Sequence, residues 1–388
     1  MFWVRIVWEP PMNKAIFTAG LRTPFGRAFK GAYKDVRADD LLVEILEAQS
    51  KKHPALWEGG CEDLMVGCAY PEHEQGYNVG RMAAIGSGLH VPAVTVNRLC
   101  ASSMEVVAMA ASRICAGWSK SCLTAGIESM SRIPRRGANF SESDRIKASY
   151  PLAYTPNGDT AELVADRYPQ FSRTDQEDLA ARSHTLAFEA FDKGCYADQI
   201  HPFLIEKDEF IRYPVDREKM ASLKPVFKDD GSVTAACCSP LTDGATSGWV
   251  LEASLAKELG VTAGLEVLDA QVGHVPPEVM GLGPVPATEK ILKRNNLSAD
   301  QIAAWEINEA FAIQVLASVD DLKIPLDRVN LWGGAMALGH PLGASGLRLI
   351  MTLHDRLKML NEEGALGVAT LCVGGGQGMS MLFRWVSN

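Results

Sequence analysis

Three side chains of complementary acid–base character stand on unusual backbone in this chain: Cys100, His340 and Cys372. His340 lies between Gly339 and Pro341 in a glycine-dense stretch, Gly333-Gly334-Ala335-Met336-Ala337-Leu338-Gly339-His340-Pro341-Leu342-Gly343-Ala344-Ser345-Gly346. Cys372 opens a second such stretch, Cys372-Val373-Gly374-Gly375-Gly376-Gln377-Gly378. So much glycine permits positive-φ turns and a close approach of backbone to a ligand. Two thiols and an imidazole can supply a nucleophile, a base and an acid.

Cys100 sits in Val96-Asn97-Arg98-Leu99-Cys100-Ala101-Ser102-Ser103-Met104, where a strand hands over to a helix. Free N–H groups gather partial positive charge at a helix start. That charge predicts a thiol well below its usual pKa of about 8.5. The competing reading is an inert buried cysteine. Imidazole is suited to take a thiol proton near neutral pH, and the alternative for His340 is a structural histidine on a tight turn. Cys372 can serve as a proton donor, or as a base once ionised. The N–H of Gly374 can face a developing oxyanion; the alternative is a phosphate-binding loop with an incidental cysteine. A fourth element is Glu306-Ile307-Asn308-Glu309-Ala310-Phe311. Asn308 suits a water or an oxygen, and Glu309 an imidazole or a helix terminus; read alone, the segment is an exposed helix start.

The elements that must hold these groups alternate between strand and helix. Strands are expected at 15–19, 93–97 and 122–127, with a small-residue helix at 104–114. Such alternation implies an α/β architecture. Between Pro134 and Ser239 turn signals accumulate. One helix stands out there, with Thr174 and Glu177 as its capping box, Leu179, Ser183, Leu186, Ala187 and Ala190 on its inner face, and Gly194 as its stop. This stretch reads as an inserted, loop-rich subdomain. After Leu241 the α/β texture returns with an internal echo. Cys100 precedes a helix and then Gly126-Ile127-Glu128-Ser129-Met130-Ser131; His340 precedes a helix and then Gly378-Met379-Ser380. Two similar halves with facing turns are expected.

Composition bounds the function. The 388 residues carry 38 basic and 47 acidic side chains, a net charge of −9, which argues against nonspecific binding to nucleic acid or anionic membranes. Nine scattered cysteines do not form a disulfide framework, and none has zinc-like spacing. No metal is expected, and a reducing cytoplasm is the default compartment. No apolar run reaches the length of a membrane span. Residues 1–11 read as an upstream extension.

Taken in order, the motifs resemble those of the thiolase family over nearly the whole length, from Met12 to about Phe383. Val-Asn-Arg-Leu-Cys-x-Ser around Cys100 is similar to its nucleophile signature. Asn308-Glu309-Ala310-Phe311 and the two glycine-rich stretches are similar to three more. The resemblance implies two βαβαβαββ halves in a five-layer αβαβα stack with an inserted loop domain, divided as 12–132, 133–240 and 241–388. It implies that Cys100 is acylated and that His340 activates it. It makes Cys372 the acid at the departing acetyl-CoA carbon, with Asn308 holding a water in one oxyanion hole. The N–H groups of Cys100 and Gly374 would form the other hole. Coenzyme A would be a co-substrate rather than a resident cofactor, contacted by Arg212, Phe227, Ala235, Ser239 and Phe311. The implied reaction is cleavage of 3-ketoacyl-CoA in fatty-acid β-oxidation, the runner-up being biosynthetic joining of two acetyl-CoA molecules. A homodimer or homotetramer is implied, in some members with a hydratase/dehydrogenase subunit.

The chain departs from the family pattern at Cys237-Cys238, at Asn157 where methionine is common near the acyl pocket, and at Trp332 where asparagine is usual. Two other classes compete. A ketoacyl-synthase-like condensing enzyme would pair cysteine with His/His or His/Asn, so Cys372 counts against it. An acyl-CoA-binding scaffold would not need all three reactive groups.

Overall fold

The computed structural model describes residues 13–387; the expected extension at 1–11 lies outside them. The strands are β1 (Ala15–Arg22), β2 (Gly26–Arg27), β3 (Asp63–Cys68), β4 (Ala93–Val96), β5 (Ser121–Ser129), β6 (Thr242–Glu252), β7 (Ala263–His274), β8 (Ala304–Ile307), β9 (Leu366–Val373) and β10 (Gln377–Ser387). Their order is β4-β3-β5-β6-β1-β7-β10-β9-β8, with β2 beside β6.

That order contains its own image. In the first half β3 runs parallel to β4 and β5, while β6 runs antiparallel to β5 and β1. In the second half β8 runs parallel to β9, and β10 runs antiparallel to β9 and β7. The counterpart of β4 has shrunk to a single parallel bridge, Trp305 to Val329. The reason is local. Asn330 takes a positive φ of 47°, so its backbone leaves the extended region. Its side chain substitutes for the missing ladder, accepting from Ile307 N–H (2.8 Å) and donating to Ile307 C=O (2.8 Å). The half-sheets meet at β1 and β7, where the paired residues are Ile16 with Glu266 and Phe17 with Leu265.

Two helices, Ser102–Cys115 and Leu342–Leu360, pack against each other between the half-sheets. Helices Ala38–Lys52 and Val79–Gly86 cover the outer face of the first half-sheet. Pro284–Arg294 and Ala312–Leu322 cover that of the second. The result is the expected αβαβα stack of two halves. Close approach at its centre depends on two glycines. A Cβ on Gly343 would lie 2.3 Å from the Ile127 carbonyl, and one on Gly346 would lie 2.5 Å from the Met104 nitrogen. Both glycines belong to the helix that follows His340, so they set how near that turn comes to the first half.

Between β5 and β6 the chain forms four α-helices joined by largely irregular backbone: Asp144–Ser149, Asn157–Arg167, Arg173–Asp192 and Arg217–Ala221. The third corrects an expectation. Its capping box is Ser172 with Asp175, not Thr174 with Glu177, because Ser172 has the extended backbone of a cap while Thr174 is already helical. A fully buried ion pair holds this segment to β1. Arg22 donates from both terminal nitrogens to Asp208 (2.7 and 2.9 Å), which also accepts from Phe25 N–H (2.7 Å).

Candidate active site

The chain leaves β4, turns through Leu99 at a positive φ of 45°, and enters the Ser102–Cys115 helix by way of Cys100. Ser102 braces that turn by accepting from Arg98 N–H (2.9 Å) and donating to Leu99 C=O (2.6 Å). The Cys100 sulfur, buried beneath it, accepts from the backbone N–H of Gly374 and from its own. The expected low pKa is reversed. Burial pushes the thiol up to about 11, the two N–H bonds only partly offset this, and the Glu128 carboxylate adds to the rise. Loss of hydration of the thiolate thus outweighs the helix start. In the unliganded protein the rate of Cys100 alkylation by iodoacetamide is therefore expected to keep climbing above pH 9. Residue-resolved mass spectrometry would show this; a plateau by pH 8 would contradict it.

The His340 tautomer follows from its neighbours. Ser345 Oγ lies 2.6 Å from His340 Nδ1 and donates its one proton to the Pro341 carbonyl (2.8 Å). It must then accept from the ring, so Nδ1 carries the hydrogen and Nε2 is bare. Nε2 faces Asn308 Nδ2 at 3.3 Å, and Asn308 Oδ1 accepts from Arg348 (3.4 Å), which fixes the amide's orientation. Burial, reinforced by the Arg348 charge, lowers the His340 pKa to about 3. The ring is neutral at physiological pH and presents a lone pair. Asn308 is fully buried, which corrects its reading as an exposed helix start. Glu309 holds a helix terminus, accepting from Met336 N–H (3.2 Å), together with Ser183 (2.6 Å) and Asn330 (2.9 Å).

Cys372 lies one residue before the end of β9, also buried. Its thiol is pushed far above the ordinary range, first by burial and then by the neighbouring Cys100 sulfur. Cys100, His340 and Cys372 line one cavity of about 90 Å³, with Phe227, Ser239 and Phe311 also in its wall. Gly374 reaches this cavity through its N–H on Cys100, and Asn308 through its contact with His340. A roomier cavity of about 470 Å³ holds Arg212 and Ala235, and Cys238 and Pro240 line both spaces. The Phe227 and Phe311 rings meet edge to face at 6.1 Å. A third cavity, about 500 Å³ beside Lys52 and His354, contains none of these groups. Among the departures, Asn157 and Cys238 line the small cavity. Trp332 packs edge-on against Tyr196, and Cys237 is buried in the core of the second half; neither lines the small cavity.

Sequence reasoning missed three supporting residues. Glu128, in the middle of the first half's core, accepts from Gln75 (2.7 Å), Ala69 N–H (2.9 Å) and Gly343 N–H (3.0 Å). It therefore ties the helix after His340 to the first half. Burial raises its pKa to about 7. Its signal was the one charged residue in a strand of small and apolar side chains. Ser345 and Arg348 stand on the same side of the Leu342–Leu360 helix start, at i and i+3.

Residues 15–254 match the family model described as thiolase, N-terminal domain, and residues 262–385 match that described as thiolase, C-terminal domain. The 3-ketoacyl-CoA thiolase of Bacillus subtilis is 38% identical over 96% of this chain and 100% of its own. That of Photobacterium profundum is 39% identical over 97% and 100%. The dimeric peroxisomal thiolase of Saccharomyces cerevisiae superposes with a TM-score of 0.88 at 32% identity, covering 97% of this chain and 98% of that one. The Bacillus anthracis acetyl-CoA acetyltransferase superposes with a TM-score of 0.86 at 33% identity, covering 97% and 100%.

Proposed function

Since this chain belongs to the thiolase family of acyltransferases, we propose that it cleaves 3-ketoacyl-CoA with coenzyme A, through an acyl group carried on Cys100. The observation that supports this most is the meeting of two thiols and a neutral imidazole in one cavity that adjoins a larger one. The curated relatives, named 3-ketoacyl-CoA thiolase, favour the degradative direction over the biosynthetic one.

The chemistry follows from the protonation states. Cys100 rests as a thiol and His340 as a free base. The Cys100 proton passes to the imidazole as sulfur attacks the C3 ketone, because neither ionised form is stable alone in this site. The oxyanion that forms is met by N–H donors, with Asn308 and Gly374 the candidates. The C2–C3 bond then breaks. Its electron pair goes to C2 as an enolate, which takes the Cys372 proton and leaves as acetyl-CoA. In the second half, incoming coenzyme A gives its proton to the Cys372 thiolate and attacks the thioester. Cys100 departs as thiolate and recovers its proton from His340. Each residue returns to its starting state, and no metal enters the cycle. Among the described residues no cluster of three or more His, Cys, Asp or Glu side chains is arranged to hold one.

Coenzyme A would lie in the roomier cavity past Arg212 and Ala235, and thread between Phe227, Ser239 and Phe311 to the sulfurs. The functional division that suits this is a nucleophile half at 12–132, a coenzyme A segment at 133–240, and a half at 241–388 that supplies the imidazole and second thiol. The dimeric yeast neighbour supports a homo-oligomer. A cytoplasmic location accords with the bacterial relatives, and no described helix is long and apolar enough to cross a membrane. The family resemblance also implies, for some members, a hydratase/dehydrogenase partner subunit.

Intact-mass analysis after mixing with a 3-ketoacyl-CoA series, without free coenzyme A, is expected to find the shortened acyl group on Cys100. Thiolysis rates across the same series test direction. Cleavage of the four-carbon substrate alone would replace the degradative reading with the biosynthetic one.

A further inference from the structure

One wall of the reaction cavity carries a charge that the chemistry above does not use. Arg135 lines the same space as Cys100, His340 and Cys372, alongside Asn157 and Tyr70. Arg135 lines the cavity of the reacting sulfurs and not the roomier one that holds Arg212, and its charge acts on Tyr70 and Cys238 in that wall. Among the described residues it makes no hydrogen bond and no ion pair. The adjacent Arg136, by contrast, is engaged. It donates to the Tyr154 carbonyl (2.6 Å), pairs with Glu142 (3.6 Å) and lies over the Phe140 ring.

The nearby anions are already taken. Glu128 accepts from Gln75, Ala69 and Gly343. Glu162, which lies near Cys238, accepts from Ser232 N–H (3.0 Å) and Val233 N–H (3.0 Å). Neither carboxylate forms an ion pair or a hydrogen bond with Arg135. A guanidinium brought to an apolar wall gains most from a carboxylate, with which it forms two parallel hydrogen bonds. Asn157 lines the same cavity, and its side-chain amide can add a donor. A plain hydrocarbon chain would instead desolvate both groups without return. The cavity's small size, about 90 Å³, restricts the occupant to a short chain.

We infer that the acyl chain this enzyme transfers ends in a carboxylate: its substrates are short 3-ketoacyl-CoA thioesters with an anionic terminus, held at that end by Arg135 with Asn157. The inference rests on the thiolytic reading above and narrows its substrate class.

The test compares two thioesters of equal length, 3-ketohexanoyl-CoA and its analogue with a terminal carboxylate, with acetoacetyl-CoA as a reference. The wild-type protein is expected to favour the carboxylate substrate by about 10-fold or more in kcat/KM. Arg135→Met is expected to collapse that ratio, and Arg135→Lys to keep part of it. The inference is overturned if the wild-type protein cleaves the methyl-ended substrate as well as the carboxylate one. It is overturned too if Arg135→Met slows both equally, which would assign Arg135 to coenzyme A. Cleavage of acetoacetyl-CoA alone also refutes it, while leaving thiolysis standing. If none of the three is cleaved, the thiolytic reading itself fails and takes this inference with it. Arg135 is exposed, so its variants are expected to fold, and circular dichroism would confirm it.

Discussion

Cys100→Ala is expected to abolish thiolysis, with a loss on the order of 10⁴-fold or more in kcat, since every later step passes through its thioester. The variant should still bind coenzyme A, because the candidate contacts at Arg212 and Ala235 line the roomier cavity, which Cys100 does not line. It should also stay folded. Removing one sulfur from a cavity wall takes away no hydrogen bond that the Leu99–Ala101 turn depends on, because Ser102 supplies that brace. Steady-state rates with the preferred substrate and calorimetric titration with coenzyme A check both halves. Retention of a tenth of the activity would show that the acyl group never rests on Cys100, and that the sulfur merely lines the wall.

The second large effect concerns stability. Asp208→Ala is expected to destabilise the fold by about 3–5 kcal/mol, because it strands a fully buried arginine. Arg22 has no exposed surface, and Asp208 is its anion at 2.7 and 2.9 Å. The substitution also orphans the Phe25 N–H. The other neighbours are no replacement: Gln199 is neutral, and the Phe25 and Tyr196 rings offer only their faces. Denaturant midpoints would show the loss. A shift below about 1 kcal/mol would mean that water reaches Arg22 when the carboxylate is removed. Asp208→Asn keeps the acceptor for Phe25 and should fall between the two.

The grouping of Cys100, His340 and Cys372 around one cavity was legible because glycine-rich turns and a strand-to-helix handover are local features. So were the helix from Ser102 and the strands leading to Cys100, which need only periodicity. The Cys100 pKa was not, and the reason is physical. A helix start is local and raises acidity, but burial depends on what a folded chain places on top, and here it dominates. Asn308 was misjudged for the same reason: an asparagine beside a glutamate suggests surface until a second helix covers it. The capping residue was displaced by two positions because Ser172 and Thr174 offer the same hydroxyl, and only backbone conformation separates them. Arg135 could not be read from the sequence. Two consecutive arginines at a turn look alike, and tertiary placement alone engages one and leaves the other unpaired in the cavity wall.

The proposed nucleophile, Cys100, comes from the first half, while His340, Cys372 and Asn308 come from the other. Glu128 clasps the amide of Gly343 across that boundary. During refolding, a population with both lobes formed but not yet docked would already display near-final circular dichroism while turning over nothing. Recovery of turnover should therefore lag recovery of the spectrum, and the interval between them would time the closing event of assembly.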